Sequence, residues 1–230
     1  MDLAELIFAA RRTGCALAEP PQSPLTLAQG YARQRAFTAR MGPQRGWKVG
    51  ATSPGARAAP GVDAPIYGRV FAVPITGNIA AGPRPLEVEP EIVLEIGADL
   101  APVRAWVGLE IVRPSRDDAL ELGAGFIVAD NAAHVALVLG DELRLDMIDA
   151  PRVTLWLNGA AAGEGAAIAM DGGPRASLAW LAAAVAGTDR PLRAGDLVAI
   201  GAMARAVKAG AGDRVVADFG EWGRAEIGVT

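Results

Sequence analysis

Glu87-Val88-Glu89-Pro90-Glu91-Ile92-Val93-Leu94-Glu95-Ile96 is a long β-type run with two different faces. Side chains alternate along a strand, so Glu87, Glu89, Glu91 and Glu95 share one face, while Val88, Ile92 and Leu94 take the other. Two carboxylates one pleat apart can converge on a single cation, and hard oxygen ligands favour Mg²⁺ or Mn²⁺. A solvated acidic strand face would carry the same pattern. Glu110 shifts the balance. It stands alone in the apolar segment Trp106-Val107-Gly108-Leu109-Glu110-Ile111-Val112, where a carboxylate is buried and needs a partner. A metal shared with Glu89 and Glu91 would supply one, and so would Arg113 or Arg116.

Outward from this run, short β-type segments separated by Gly, Pro, Asn and Asp dominate: residues 46–51, 107–112, 126–128, 153–157, 197–201, 215–219 and 224–229. Asn158-Gly159 is a hairpin turn signal. Gly195-Asp196 and Gly212-Asp213 read as turns before strands. Helical spacing appears over residues 2–18 and 26–41, the second ended by Gly42-Pro43, and again over 174–186. Helices first, then many uneven strands, give an α+β domain with antiparallel or mixed sheets.

The 230 residues suffice for a full core. A net charge of −4 provides no basic footprint for nucleic acid. No apolar run approaches the roughly 18 residues of a membrane span. The acidic start Asp2-Leu3-Ala4-Glu5 does not fit a signal peptide, and the lone Cys15 rules out an intramolecular disulfide, so a cytoplasmic protein is expected. Lys48 and Lys208 are the only lysines, which singles both out. With His134 as the single histidine, a multi-histidine metal site is excluded, and a structural role beside the core is expected for it.

Several blocks resemble, in order over roughly residues 25–230, the 2-keto-4-pentenoate hydratase / 4-oxalocrotonate decarboxylase family of the fumarylacetoacetate hydrolase-like superfamily. They are Gly46-Trp47-Lys48-Val49-Gly50, Gly61-Val62-Asp63-Ala64-Pro65-Ile66-Tyr67-Gly68, Glu89-Pro90-Glu91-Ile92, Leu109-Glu110-Ile111-Val112, Ala129-Asp130-Asn131-Ala132 and Gly201-Ala202-Met203. The resemblance implies a fumarylacetoacetase C-terminal-like distorted mixed β-roll with flanking helices. Residues 1–45 would be a helical segment packed on a catalytic domain of residues 46–230. Glu89, Glu91 and Glu110 would hold Mg²⁺ or Mn²⁺, Lys48 would be the catalytic base or acid, and Tyr67, Asp130 and Asn131 would line the substrate pocket. Proximity to the metal is expected to lower the pKa of Lys48.

The implied activity is a lyase of 2-oxo or 2-hydroxy-alkenoic acids, hydratase-like, adding water through a metal-stabilised enolate. Alternatives are a 4-oxalocrotonate-type decarboxylase, an acylpyruvate C–C hydrolase, or a non-catalytic paralogue that binds a small dicarboxylate or a partner enzyme. The partners implied are a small 2-oxo acid and further copies of the chain, with association to a homologous lyase also open; nucleic acid and membrane are not among them. The chain departs from the family blocks at Ile66, where hydratases carry an acid, at Ala133 and Ile200, where serines stand, and over Val112-Arg113-Pro114-Ser115-Arg116. The stretch between Glu91 and Glu110 is also short. The apolar Ile66 pulls toward the decarboxylase branch.

Overall fold

The computed structural model describes residues 2–21, 23–71 and 74–230. In chain order it has α1 (Leu3–Thr13), α2 (Leu27–Thr38), β1 (Gly46–Gly50), α3 (Pro54–Ala58), β2 (Ile66–Val70), β3 (Asn78–Ile79), β4 (Leu86–Ile96) and β5 (Pro102–Val112). There follow α4 (Ala124–Ala129), β6 (His134–Leu143), β7 (Arg152–Leu157), β8 (Ala160–Ala166), α5 (Gly173–Val185), β9 (Leu197–Ala199), β10 (Val207–Ala209), β11 (Arg214–Asp218) and β12 (Arg224–Val229).

The strands form two open sheets. One runs β2-β1-β9-β4-β5-β6, with β10 also on β4; the other runs β3-β12-β11-β7-β8. Parallel and antiparallel pairs occur in both. The α+β class therefore holds, with mixed sheets. The apolar face of β4 and β5, including Ile92, Leu94, Leu109 and Ile111, packs with Val215 and Ile227 of the second sheet and Leu181 of α5 in one core. The sheets approach closely where β6 meets β12: a Cβ on Gly140 would lie 2.2 Å from the Arg224 carbonyl oxygen, so only glycine fits there.

The opposite face of β4 and β5 is the one that matters for chemistry. α4 and the segment 130–133 pack beside it, and α2 packs on α4. That crossing is tight at Gly30, where a Cβ would fall 2.3 Å from the Gly125 carbonyl oxygen. α2 begins with a capping box between Thr26 and Gln29. Gly14, at φ 71°, ends α1 four residues before the expected limit.

One element differs in kind from the sequence reading. Residues 126–128 were expected as a strand but lie in α4. Phe126-Ile127-Val128 has strand-like composition, yet its side chains are buried by packing rather than by strand pairing: Phe126 joins Ala10 and Leu17, and Val128 joins Ile66 and Ala132. β5 begins at Pro102 rather than at residue 107, so the short stretch after Glu91 is a hairpin, its turn closed by Gly97 N–H donating to Ala101 O at 2.7 Å.

Candidate metal centre and active site

Register brings the acidic residues together. Glu89 sits directly opposite Glu110 across the β4–β5 ladder, and Glu91 opposite Gly108. Opposite residues share a face. One carboxylate oxygen from each of Glu89, Glu91 and Glu110 falls within 4.8 Å of the others. Lys48 reaches the same face by a second route: Lys48 pairs with Ala199 on β9, and Ala199 pairs with Val93 on β4. Its Nζ lies 3.1 Å from Glu110 Oε2 and donates to the Ala132 carbonyl at 3.2 Å.

Glu110 is held through both oxygens and Glu91 through one. The Gly201 N–H donates to Glu91 Oε2 at 3.0 Å, and His134 Nδ1 lies 2.7 Å from Glu110 Oε1. Glu91 Oε1 is buried with no hydrogen-bond partner among the described residues. A buried carboxylate oxygen left unpaired is costly. Three carboxylates that each bring an oxygen within 4.8 Å of the others fit a hard divalent cation.

The electrostatics agree. Burial raises Glu89 to about 7, with Lys48 opposing the rise. Burial, and then Glu110, push Glu91 well above the ordinary carboxylate range. Burial alone would raise Glu110 as well, but Lys48 and the His134 hydrogen bond outweigh it and hold Glu110 low. Burial would lower Lys48, yet Glu110, Glu89 and Glu91 together raise it.

The partners expected for Glu110 on the arginine side are not found. Arg113 donates to the Ala81 carbonyl at 2.7 Å and Arg116 pairs with Asp118, while Lys48 and His134 serve Glu110. His134 is buried, as expected, but it is also the direct neighbour of Glu110, a role its sequence position did not reveal. Burial lowers its pKa against the pull of Glu110.

Two adjoining cavities open beside Lys48 and Glu89. One, about 240 Å³, is walled by Gly50, Thr52, Ile66 and Ala202; the other, about 300 Å³, by Glu87, Val112, Leu120 and Asp130. Thr52 lies in the same sequence block as Lys48, and the fold places it on the cavity wall. Asp130 lines the second cavity, and its carboxylate takes Arg11 Nε at 2.9 Å and the Ser115 N–H at 2.6 Å. Asn131 braces β2: Oδ1 accepts from Arg69 N at 2.7 Å and Nδ2 donates to Arg69 O at 2.8 Å. Asn131, Ala132 and Ala133 all have positive φ, a strained run that aims the Ala132 carbonyl at Lys48. Tyr67 is not brought to the site. It pairs with Val49, one residue out of phase with Lys48, and packs with Tyr31 and Trp47. Gly68 is the β2 residue that faces Lys48: a Cβ there would lie 3.0 Å from Lys48 Cγ and 2.6 Å from the Asn131 carbonyl oxygen.

No protein-family model matches the chain. Individual relatives do. The 2-keto-4-pentenoate hydratase 1 of Dechloromonas aromatica (strain RCB) is 34% identical over 74% of this chain and 71% of its own length. The chain belongs to the 2-keto-4-pentenoate hydratase family. Another relative within the family's reach, the TodF product hydratase of Pseudomonas putida, is 31% identical over 91% of this chain and 87% of its own. Among solved structures, the 4-oxalocrotonate decarboxylase from Pseudomonas putida G7, complexed with magnesium and adipate, matches with a TM-score of 0.88 at 25% identity, over 99% of this chain and 96% of that one. The family assignment thus joins hydratase relatives in sequence to a metal-bound decarboxylase in structure.

Proposed function

We propose that the chain is a divalent-metal-dependent lyase of 2-hydroxy or 2-oxo-alkenoic acids, acting as a 2-keto-4-pentenoate hydratase. The observation that carries this reading is the convergence of Glu89, Glu91 and Glu110 within 4.8 Å beside Lys48 Nζ. Glu89, Glu91 and Glu110 would hold Mg²⁺ or Mn²⁺. Bound there, the ion supplies Lewis-acid polarisation of the substrate's oxygens. Lys48 is positioned to neutralise the substrate carboxylate and to give or take a proton at Nζ, its aim fixed by Ala132 O and Glu110. His134 and Gly201 N–H orient Glu110 and Glu91. Asp130, on the cavity wall, is assigned to holding Arg11 and the Ser115 backbone more than to touching substrate. Leu120 and Ile127 limit water on the apolar side of the cavities.

A 4-oxalocrotonate-type decarboxylase is the second reading, favoured by Ile66. It lines the cavity beside Lys48 and provides no proton there, and adding water needs more acid–base help than losing CO₂. With His134 committed to Glu110, a histidine-activated water for C–C hydrolysis has little support.

The same reading takes the two open sheets as parts of a distorted mixed β-roll and divides the chain into a helical segment, residues 1–45, and a catalytic domain, residues 46–230. The packing of that segment on the catalytic domain is supported by Arg11 of α1 reaching Asp130. It also makes the protein a cytoplasmic homo-oligomer; no helix among the described residues is long and apolar enough to cross a membrane. An absorbance assay separates the readings. Metal-dependent loss of 2-hydroxypenta-2,4-dienoate, abolished by EDTA, supports the hydratase; turnover of 4-oxalocrotonate alone supports the decarboxylase. Turnover of neither, with metal bound, contradicts both.

A further inference from the structure

The metal centre and Lys48 provide for the acid end of a substrate. The walls of the two cavities beside them decide what the far end can be. Among the described residues, Lys48 is the only cation that lines either cavity. In the first, the other charged residues are Glu89 and Glu91, and the remaining polar side chains are the neutral hydroxyls of Thr52 and Ser53. The second adds more carboxylates, on Glu87, Asp117 and Asp130. Those three pair with Lys208, Arg84 and Arg11, none of which lines either cavity. A second carboxylate on the substrate would therefore leave water for an apolar wall or for like charge, with no cation to meet it.

What the walls do offer is apolar surface. Leu120 and Ile127 line both cavities, and Ile66 and Ala202 continue the first. Leu120 is 56% exposed. A single exposed leucine is ordinary in itself; this one is held in place. It sits in the turn over residues 117–122, between Ala119 and Leu122, which both pack with Phe126 of α4 and Ala10 of α1. Arg116 and Asp118 pair at the start of the same turn. Anchored on both sides, Leu120 stands where the cavities of about 240 and about 300 Å³ adjoin and open to water. An apolar tail that leaves the metal centre along Ile127 reaches the mouth there and removes the exposed part of Leu120 from water.

We propose that the substrate carries a single carboxylate and an extended, uncharged, apolar tail, and that Leu120 and Ile127 are the residues that select for that tail. The inference rests on the lyase reading above and narrows it: a dicarboxylate is disfavoured at this site.

Binding tests this apart from turnover. The whole protein, supplied with Mn²⁺, would be titrated by calorimetry with 2-oxobutanoate, 2-oxohexanoate and 2-oxooctanoate. A fourth probe, 2-oxoadipate, matches 2-oxohexanoate in length but ends in a second carboxylate. Affinity should rise roughly two- to fourfold per added methylene, and 2-oxohexanoate should bind roughly tenfold or more tightly than 2-oxoadipate. Leu120 lies outside the core, so it can be replaced without opening a cavity in it. Leu120→Ala should flatten the rise with length. Leu120→Arg puts a cation at the mouth and should shift the preference toward 2-oxoadipate by roughly tenfold. Equal affinity for 2-oxohexanoate and 2-oxoadipate, or no rise with length, would overturn the inference and leave the lyase reading standing. The same length dependence in Leu120→Ala as in the wild type would overturn the selecting role of Leu120. Binding of none of the four acids would overturn the lyase reading, and this inference with it.

Discussion

At Glu110, Lys48 and His134 approach the two oxygens of one carboxylate from different sides. His134 should fix the orientation of the carboxylate while leaving its charge available. Removing such an outer partner typically costs 10–100-fold in metal affinity, so His134→Ala should weaken Mn²⁺ binding by roughly that factor, as measured by calorimetry. Glu89 yields a pH prediction. Its pKa rises from an ordinary 4.5 to about 7 in the fold. Between those values the metal-free folded chain holds a proton that the unfolded chain has released, so stability from this group falls as pH rises through the window. Denaturant titrations in EDTA at about pH 5 and about pH 8 should show it. Metal competes with the same proton, so divalent-ion affinity should move the opposite way, rising with pH. The acidic triad was legible because alternation put Glu89 and Glu91 on one face and an apolar neighbourhood marked Glu110. The role of Lys48 came from the resemblance. The contacts that His134 and Gly201 make with the carboxylates, and the bracing of β2 by Asn131 in place of the pocket role read for it, were not legible, because long-range register, which no local pattern encodes, brings them about. Tyr67 was placed one residue out of phase, and in a strand one residue is the difference between pocket and core.

The β1–β2 pair and the 130–133 segment work as one clamp around the Lys48 side chain. Gly68 leaves the space that the lysine stem fills, and Asn131 ties the segment to β2. Gly68→Ala should therefore displace Lys48 or the Asn131 backbone, at a cost of about 1–3 kcal/mol in unfolding free energy. Its activity should fall further than its stability implies, because the Ala132 carbonyl that aims Lys48 moves as well; comparing the denaturation midpoint with turnover checks this. Gly30→Ala tests the α2–α4 crossing in the same way and should destabilise without touching the metal ligands. Most strands and three helices were readable from periodicity and turn residues, including the Asn158-Gly159 hairpin, where both residues take positive φ. α4 was not, because its β-branched, aromatic run resembles a strand and packing overrides it. β8, rich in Ala and Gly, lacked any strand signal and forms because the hairpin turn lays it on β7.

Across the whole molecule, the sheet that forms the core on one face carries three carboxylates on the other, with Lys48 and His134 beside them among the described residues. A fold arranged this way gains stability from any cation that binds it and not the unfolded chain. At a hundredfold excess over Kd, the gain is about 2.7 kcal/mol, which at this size means a rise in Tm of roughly 5–10 °C. EDTA should remove it. The α+β class and the order of the elements followed from composition and pattern. The division of the strands into two sheets did not, since β9 and β10 return from far along the chain to pair with β1 and β4. The central claim is that Glu89, Glu91 and Glu110 form one divalent-ion site. Calorimetric titration of Mn²⁺ into the wild-type protein and into Glu110→Gln tests it most directly. The account predicts a single site in the wild type and a loss of affinity beyond roughly 100-fold in the variant. No binding by the wild type, or the same binding by both, would contradict it.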